Sequence, residues 1–594
     1  MLMSYNWPTT QCPAGLVTMK HIALLFFTLL CIEIAFAENP RQVGDFSLLD
    51  HNGNFHQLSR LSESRAVVLY VYGNNCSTSA DAIPKLNLLQ EKYESRGIEF
   101  LMLDPFPEDT RESVRQKMDS AGNLVPVLMD RSQLVSQSLG VRSSGEVFVI
   151  DPKRMSLIYR GAIDNRALGE QSLIGRNYLE EVLSAVVIGA SVIADVAWTK
   201  GENVAYPKMA GINGLGVSYI NDVVPILQKR CVSCHREGGV APWAMNSHNM
   251  VRGWSEMIRE TILTMRMPPG QIDDEYLDRF VDVHFITDEE KITLVNWINA
   301  GALRDGEPDP LAAPLAPLSD WALGEPDLII EIPAQEIPAN GVLDYRFIPV
   351  DIDIEDDRWV RAYEFSVGDK SVLHHVIAYT QDEKQQKQNA SLGGSRTNFG
   401  SYAPGRDHVE FDANTGILLE KGMRFMLQLH YTTVGKPIRD VTRIGLYFHN
   451  SEPKFLLSRT AVMNGEFVIP PGVSDYPVVA SARIEKDSFL YNLAPHMHYR
   501  GKRVSYSAQY PDGRVEELLS IPNFQHNWQM VYRLRDPLFL PAGTIIQAEG
   551  GFDNSASNLL NPNPSQEVTW GDQVWDEMFI VWMRVGEAAS AIAP

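Results

Sequence analysis

Pro495-His496-Met497-His498-Tyr499 is the stretch on which the reading of this chain turns. Side chains alternate along a strand with period two, so an H-x-H triplet sends both imidazoles to one face and Met497 to the other. His496 and His498 can then grip one ion. A second group, His374-His375 with His430, lies upstream, and Met578 lies downstream. Imidazole combined with a thioether suits copper, Cu(I) above all, better than a hard cation or a structural zinc. Two three-donor groups predict two copper ions. On a flat strand adjacent histidines point to opposite faces, so His374 and His375 need a bulge or a strand end to share an ion.

Around these histidines the chain is written in short alternating runs: Leu328–Ile332, Trp359–Phe365, Arg424–Tyr431, Arg443–Phe448, Arg503–Gln509 and Thr544–Gly550. Pro, Gly, Asn and Asp separate them, which is an all-β signature. The expectation is two successive β-sandwiches, 311–455 and 456–594, each carrying one histidine group, with the ions facing each other across a cleft. Lone strand histidines are usually core or surface residues, and His408, His449 and His526 are read so. Asp553-Asn554-Ser555 and Asn561-Pro562-Asn563-Pro564 read as loop turns. Tyr431, Tyr499 and Arg500 stand next to ligands, either orienting imidazoles or simply packing.

The motifs Leu373-His374-His375-Val376, Leu427-Gln428-Leu429-His430-Tyr431, Pro495-His496-Met497-His498 and Asp576-Glu577-Met578 occur in an order that resembles the copper type II, ascorbate-dependent monooxygenases. That family includes peptidylglycine α-hydroxylating and dopamine β-monooxygenases, and the resemblance spans 311–594. It implies an electron-transfer copper at His374, His375 and His430. It implies a second, catalytic copper at His496, His498 and Met578, where O₂ is activated to hydroxylate a C–H bond. Met578 is chosen over Met423, Met426, Met463, Met530 and Met583 by this resemblance. The cysteines that staple the animal enzymes are missing. The implied partners are a small-molecule or peptide-like substrate, O₂ and an external electron donor.

Upstream, Cys231-Val232-Ser233-Cys234-His235 is a C-x-x-C-H sequence, the attachment motif for one covalently bound haem c. The thiols would bind the porphyrin and His235 the iron. Met265-Arg266-Met267-Pro268-Pro269-Gly270 resembles the methionine loop of small cytochromes c, which makes Met267 the distal ligand, with Met265 the alternative. Asn221–Arg230 has the spacing of a short helix, and Thr287-Asp288-Glu289-Glu290 opens a capped one that ends at Gly301. His248 reads as a surface residue. Residues 196–310 are therefore expected to be an all-α cytochrome c-like domain, with Arg304–Leu318 as linker.

Residues 38–195 alternate strands with helices, an α/β layer. Cys76 follows the first long strand, Ala66–Tyr72, at a helix start, as in the thioredoxin-like redoxins it resembles. A helix N-terminus lowers a thiol's pKa. However, Cys76-Ser77-Thr78-Ser79 lacks the second cysteine, and Gly145 stands where such folds place a cis-proline. The domain reads as structural or docking, with one-cysteine chemistry or copper handling as the alternative.

At the start, Met19-Lys20-His21, the apolar run from Ile22 and Ala35-Phe36-Ala37 read as a secretory signal over 1–37 with an upstream extension. The expected location is the periplasm or the exterior. A formal net charge of −22 argues against nucleic acid or anionic membrane as a partner. No later run is long enough for stable membrane insertion. The sequence thus describes an exported copper monooxygenase hydroxylating an unknown substrate, its electrons supplied through a tethered haem. The alternatives are a non-catalytic periplasmic electron-transfer or copper-binding protein, and an oxidase that releases peroxide.

Overall fold

The computed structural model describes residues 41–167, 175–190, 192, 199–206, 216–314, 319–382, 397–403 and 407–588. The leader expected over 1–37 and positions 315–318 of the linker lie outside the described residues. Among those described, no helix is long and apolar enough to cross a membrane.

Ala66–Val71 is apolar at every position and buried at every position. It takes the centre of a five-stranded sheet, ordered Val127–Met129, Ile98–Asp104, Ala66–Val71, Glu146–Asp151, Ser156–Ala162. The first three strands are parallel and the last two antiparallel. Helix Ser77–Tyr93 buries Ile83, Leu86 and Leu89, and helix Arg111–Ala121 opens on a capping box between Thr110 and Ser113. The layer continues past the expected end at 195. The Ser144 amide donates to Glu202 O at 2.8 Å and the Val204 amide to Arg142 O at 2.8 Å, so 199–206 return to it.

Next come helices Val224–Arg230, Ser255–Leu263 and Asp288–Asn299, the last capped by Thr287 and Glu290 as their spacing predicts. Tyr219 stacks on Trp297 with ring centroids 5.6 Å apart. His248 corrects its surface reading: it is buried edge-on to Tyr219 and meets Ala302 O at 2.8 Å through Nε2. The expectation of an all-α segment also gives way. Phe280–Val281 forms a strand paired with Leu534 and Arg533, because Ile272 and Phe280 enter the apolar core of the C-terminal β region.

In that region each sandwich has one four-stranded sheet of its own. Arg346–Asp351, Arg424–Tyr431, Leu373–Gln381 and Thr397–Tyr402 make the first; Tyr476–Arg483, Ile545–Phe552, Gly501–Gln509 and Val515–Ile521 make the second. The opposing layer is shared. A ten-stranded sheet, counted over the described residues, runs through both halves. It is joined where Thr415 and Gly416 pair in parallel with Phe455 and Leu456. The two sandwiches are therefore held in fixed relation by main-chain hydrogen bonds, and by Arg584 Nη2 donating to Phe399 O at 2.8 Å.

Segment 272–281 ties the three regions together. Arg111 donates to both carboxylate oxygens of Asp273, at 2.7 and 2.8 Å. The Asp273 amide donates to Ser520 O at 3.0 Å, and Tyr276 donates to Glu517 at 2.5 Å. Arg60 adds a direct contact to Asn523 Oδ1 at 2.8 Å.

Candidate metal centre

The strand Leu373–Gln381 lies antiparallel to Arg424–Tyr431, with Leu373 opposite Tyr431 and His375 opposite His430. His374 is therefore the extra residue of a β-bulge, the irregularity that lets neighbouring side chains share a face. The Nδ1 atoms of His374 and His375 stand 3.1 Å apart. Two nitrogens each about 2.0 Å from one tetrahedral ion would be separated by about 3.3 Å. Donor atoms of His374, His375 and His430 all lie within 4.8 Å of one another. His430 Nδ1 is buried with no hydrogen-bond partner. Burial, then the His374 imidazole, pushes His430 down to about 3, and burial with three or more imidazoles nearby holds His375 well below the usual range. These rings are neutral, with lone pairs to donate. Tyr345 packs edge-on against His430, ring centroids 4.8 Å apart.

His496 ends strand Ser488–His496 and pairs with Ile580 of strand Phe579–Ala588. Met578, the expected third donor, immediately precedes that strand and is half-buried. His496 and His498 have ring centroids 5.1 Å apart, while Met497 points into the sandwich core. Each imidazole is oriented through Nδ1: His496 by Gln529 Oε1 at 2.6 Å and His498 by Asp576 O at 3.2 Å. Such a contact leaves Nε2 aimed at the site, and His498 Nε2 is buried without a partner. Glu577 accepts from the amides of His498 at 2.9 Å and Arg500 at 2.6 Å. Burial pushes its carboxyl up to about 8 against those amides and Arg500. Asn554, read as a turn residue, accepts from Arg500 Nε at 2.8 Å. Tyr431 donates to Asp440 at 2.8 Å instead of touching an imidazole.

His526 is the residue that sequence reasoning missed. It is buried, its Nδ1 meets Met497 O at 3.2 Å, and its ring stacks on His374 at 5.5 Å. On its other side it meets His498 at 6.1 Å and Tyr499 at 4.9 Å. The two histidine groups are thus joined through His526. The space lined by His375, His496 and Gln529 is only about 30 Å³, near the volume of one water. The only sequence signal was a histidine in a loop flanked by amides, Gln525-His526-Asn527. His408 is exposed, and His449 is tied to Thr415 O at 2.8 Å.

In the helical region, Cys231, Cys234 and His235 lie on one turn, the amides of Cys234 and His235 both donating to Cys231 O, at 3.1 and 2.9 Å. His235 Nδ1 lies 3.2 Å from Trp243 O, the second-sphere contact that fixes a ligating imidazole and frees its Nε2. Burial pushes the Cys231 thiol up to about 12. Cys234 opens on a cleft of about 960 Å³, lined also by His284 and Met530, at the upper end of the roughly 300–1,000 Å³ of small-molecule sites. Neither candidate methionine lines it. Met267 sits in its turn with its amide 3.1 Å from Thr261 O, and Met265 faces a separate cavity with Arg111 and Ile262.

In the N-terminal domain, Cys76 stands at the N-terminal boundary of helix Ser77–Tyr93, without a side-chain hydrogen bond to its first turn. Ser144 Oγ donates to its Sγ at 3.0 Å and accepts from the Glu202 amide at 2.9 Å. Burial raises the thiol's pKa, but Ser144, Glu202, Thr78 and Ser79 outweigh it and bring it down to about 7. Ser79, at the second position of the motif, is buried and accepts from the Gly73 amide at 3.1 Å. Gly145 has φ +84°, and a Cβ there would stand 3.1 Å from Thr78 Cγ2.

This sheet order, with a thiol at the helix start, defines a thioredoxin-like redoxin domain, and residues 41–157 match the AhpC/TSA family model. Among curated proteins, the chain is 26% identical over 132 residues to the thiol-disulfide oxidoreductases ResA of Bacillus thuringiensis (strain Al Hakam) and Bacillus anthracis. Those matches cover 22% of this chain and 70% of each relative. Among solved structures, a hypothetical protein from Sinorhizobium meliloti 1021 is 25% identical, with a TM-score of 0.27 over 29% of this chain and 95% of that one. The peroxidoxin BcpB of Mycobacterium tuberculosis is 18% identical, with a TM-score of 0.21 over 25% of this chain and 94% of that one.

Proposed function

We propose that this chain is an exported copper-dependent monooxygenase, which hydroxylates a C–H bond with O₂ and takes its electrons through a tethered c-type haem. Its redoxin domain supports an oxidoreductase in general. The observation that supports the finer reading is the gathering of five ligand-type imidazoles, His374, His375 and His430 with His496 and His498, into two groups in contact through His526.

The donors fit the ions. His430 Nδ1 and His498 Nε2 are buried atoms without partners, and the paired Nδ1 atoms of His374 and His375 stand at the spacing of two ligands. His374, His375 and His430 would hold one copper; His496, His498 and Met578 would hold the other. Cys231 and Cys234 would bind the haem and His235 its iron; Met267, the expected distal ligand, does not line the cleft beside Cys234. Bound copper would supply the one-electron steps that activate O₂, and bound haem a one-electron store. The protein's own part is positional. Gln529 and the Asp576 carbonyl hold two imidazoles, Glu577 and Arg500 anchor the loop between them, and the packing around His526 keeps bulk water out.

One observation favours a second reading. The space lined by His375 and His496 is small, about 30 Å³, as an electron-transfer or copper-binding protein would allow. Turnover under ¹⁸O₂ with candidate small-molecule and peptide-like substrates separates the two. One labelled oxygen per product molecule supports the monooxygenase. Redox cycling of haem and copper with neither labelled product nor released peroxide leaves the carrier.

A further inference from the structure

Beside Cys76, the backbone edge over Arg142–Gly145 is paired with a later part of the same chain. The Ser144 amide donates to Glu202 O and the Val204 amide to Arg142 O, each at 2.8 Å, with Ser143 opposite Asn203 in antiparallel register. These are the contacts that an added antiparallel strand makes. Thr199 Oγ1 donates to Ser144 O at 2.9 Å. Val204 is buried in the apolar core and anchors the far end, while Glu202 and Asn203 are exposed. The segment runs so close that a Cβ on Gly201 would stand 1.9 Å from Ser144 O. It also reaches the partner of the thiol. The Glu202 amide donates to Ser144 Oγ at 2.9 Å, and that hydroxyl donates to Cys76 Sγ at 3.0 Å. Cys76 itself is half-buried.

A backbone edge next to a thiol is a place where an extended polypeptide can pair its main chain and bring its own sulfur up to the nucleophile. Here the Ser144 amide and the Arg142 carbonyl are both taken by the chain itself. We propose that Thr199–Val204 is a built-in strap that fills the peptide-docking edge of the redoxin domain, closing Cys76 to extended polypeptides and leaving it open to small disulfides. The inference goes beyond the metal chemistry proposed above and does not depend on it. The exchange left open is a single step. The Cys76 thiolate attacks one sulfur of a small disulfide, a new S–S bond forms at Cys76 and the old one breaks. The departing half leaves as a thiolate with the electron pair of the broken bond, so no outside oxidant or reductant is consumed. Ser79 stands where a second cysteine would resolve the adduct, so the mixed disulfide persists and can be counted.

The test uses the full-length protein and two disulfides of different size. One is hydroxyethyl disulfide; the other is a short Val- and Thr-rich peptide whose central cysteine carries the same hydroxyethyl half. Mass spectrometry of digests follows the adduct on the segment that contains Cys76. In the unaltered protein the small disulfide should label Cys76, and the peptide should do so more slowly by about tenfold or more, the worth of the one or two hydrogen bonds it cannot make. Gly201→Ala sets a methyl group against Ser144 O and pushes the strap away, so the ratio of peptide rate to small-disulfide rate should rise by about tenfold. Taking the ratio cancels any change in the acidity of the thiol. If Gly201→Ala does not fold, Val204→Ala, which loosens the anchor without adding a clash, should raise the same ratio. Equal rates for the two disulfides in the unaltered protein overturn the strap, and so does a ratio that the variant leaves unchanged. A Cys76 that neither disulfide labels in the unaltered protein overturns the opening to small disulfides.

Discussion

His374 and His375 are neighbours in the chain, yet their Nδ1 atoms stand 3.1 Å apart on one side of the sheet, because the bulge at His374 breaks the alternation. Removing one of them should therefore dismantle a whole site. His375→Ala is expected to lower bound copper from two ions per chain to one after dialysis against a weak chelator. Elemental analysis reads this directly, and two retained ions would mean that the three rings do not share an ion.

Gln529 touches His496 only through Nδ1, so its role is to orient. Loss of such a partner typically weakens metal binding by about 10–100-fold. Gln529→Ala should do so for one ion and spare the other, in a competition titration with a Cu(I) chelator. Equal affinities before and after would reduce the contact to packing.

Cys76 should be half thiolate near pH 7, since its pKa is brought down to about 7. The rate of alkylation by iodoacetamide should rise with pH and reach half its plateau there. Ser144→Ala removes a donor to the thiolate, which favours the protonated form, so the midpoint should move up. A midpoint that stays put would show that the hydroxyl does not act on the sulfur. On the proposed function Cys231 and Cys234 would be held in haem linkages and should not contribute to the signal.

Arg111 and Asp273 are a buried pair, with side chains 9% and 5% exposed. Breaking such a pair from one side costs about 3–5 kcal/mol, because the remaining charge is left without its partner. Arg111→Ala should lower the denaturation midpoint accordingly. The double variant Arg111→Ala/Asp273→Ala should lose less than the sum of the two single changes. Strict additivity would show that the two side chains do not stabilise each other.

Much of the local structure was legible because it depends on neighbours in sequence. Thr110 and Thr287 cap their helices where their spacing predicts, and the unbroken apolar run Ala66–Val71 is a central strand. The need for a bulge at His374-His375 followed from the period of a strand, and the structure supplies it. His248 was misread as a surface residue, and His526 was left as core or surface with no role, for one shared reason. Each is buried by residues far away in the chain, Trp297 in one case and His374 in the other, and no local pattern records that.

The sequence by itself determined the donor chemistry: which imidazoles, thiols and thioethers exist, and which pairs share a face of a strand or one helical turn. Those are short-range matters of bond geometry and period. Only the tertiary structure decided that the histidine groups of two sandwiches touch through His526, that Phe280–Val281 joins the β region, and that one loop reaches from His496 to the cleft beside Cys234. These depend on strand register between distant segments and on which apolar surfaces bury one another, and both are settled by the whole chain at once.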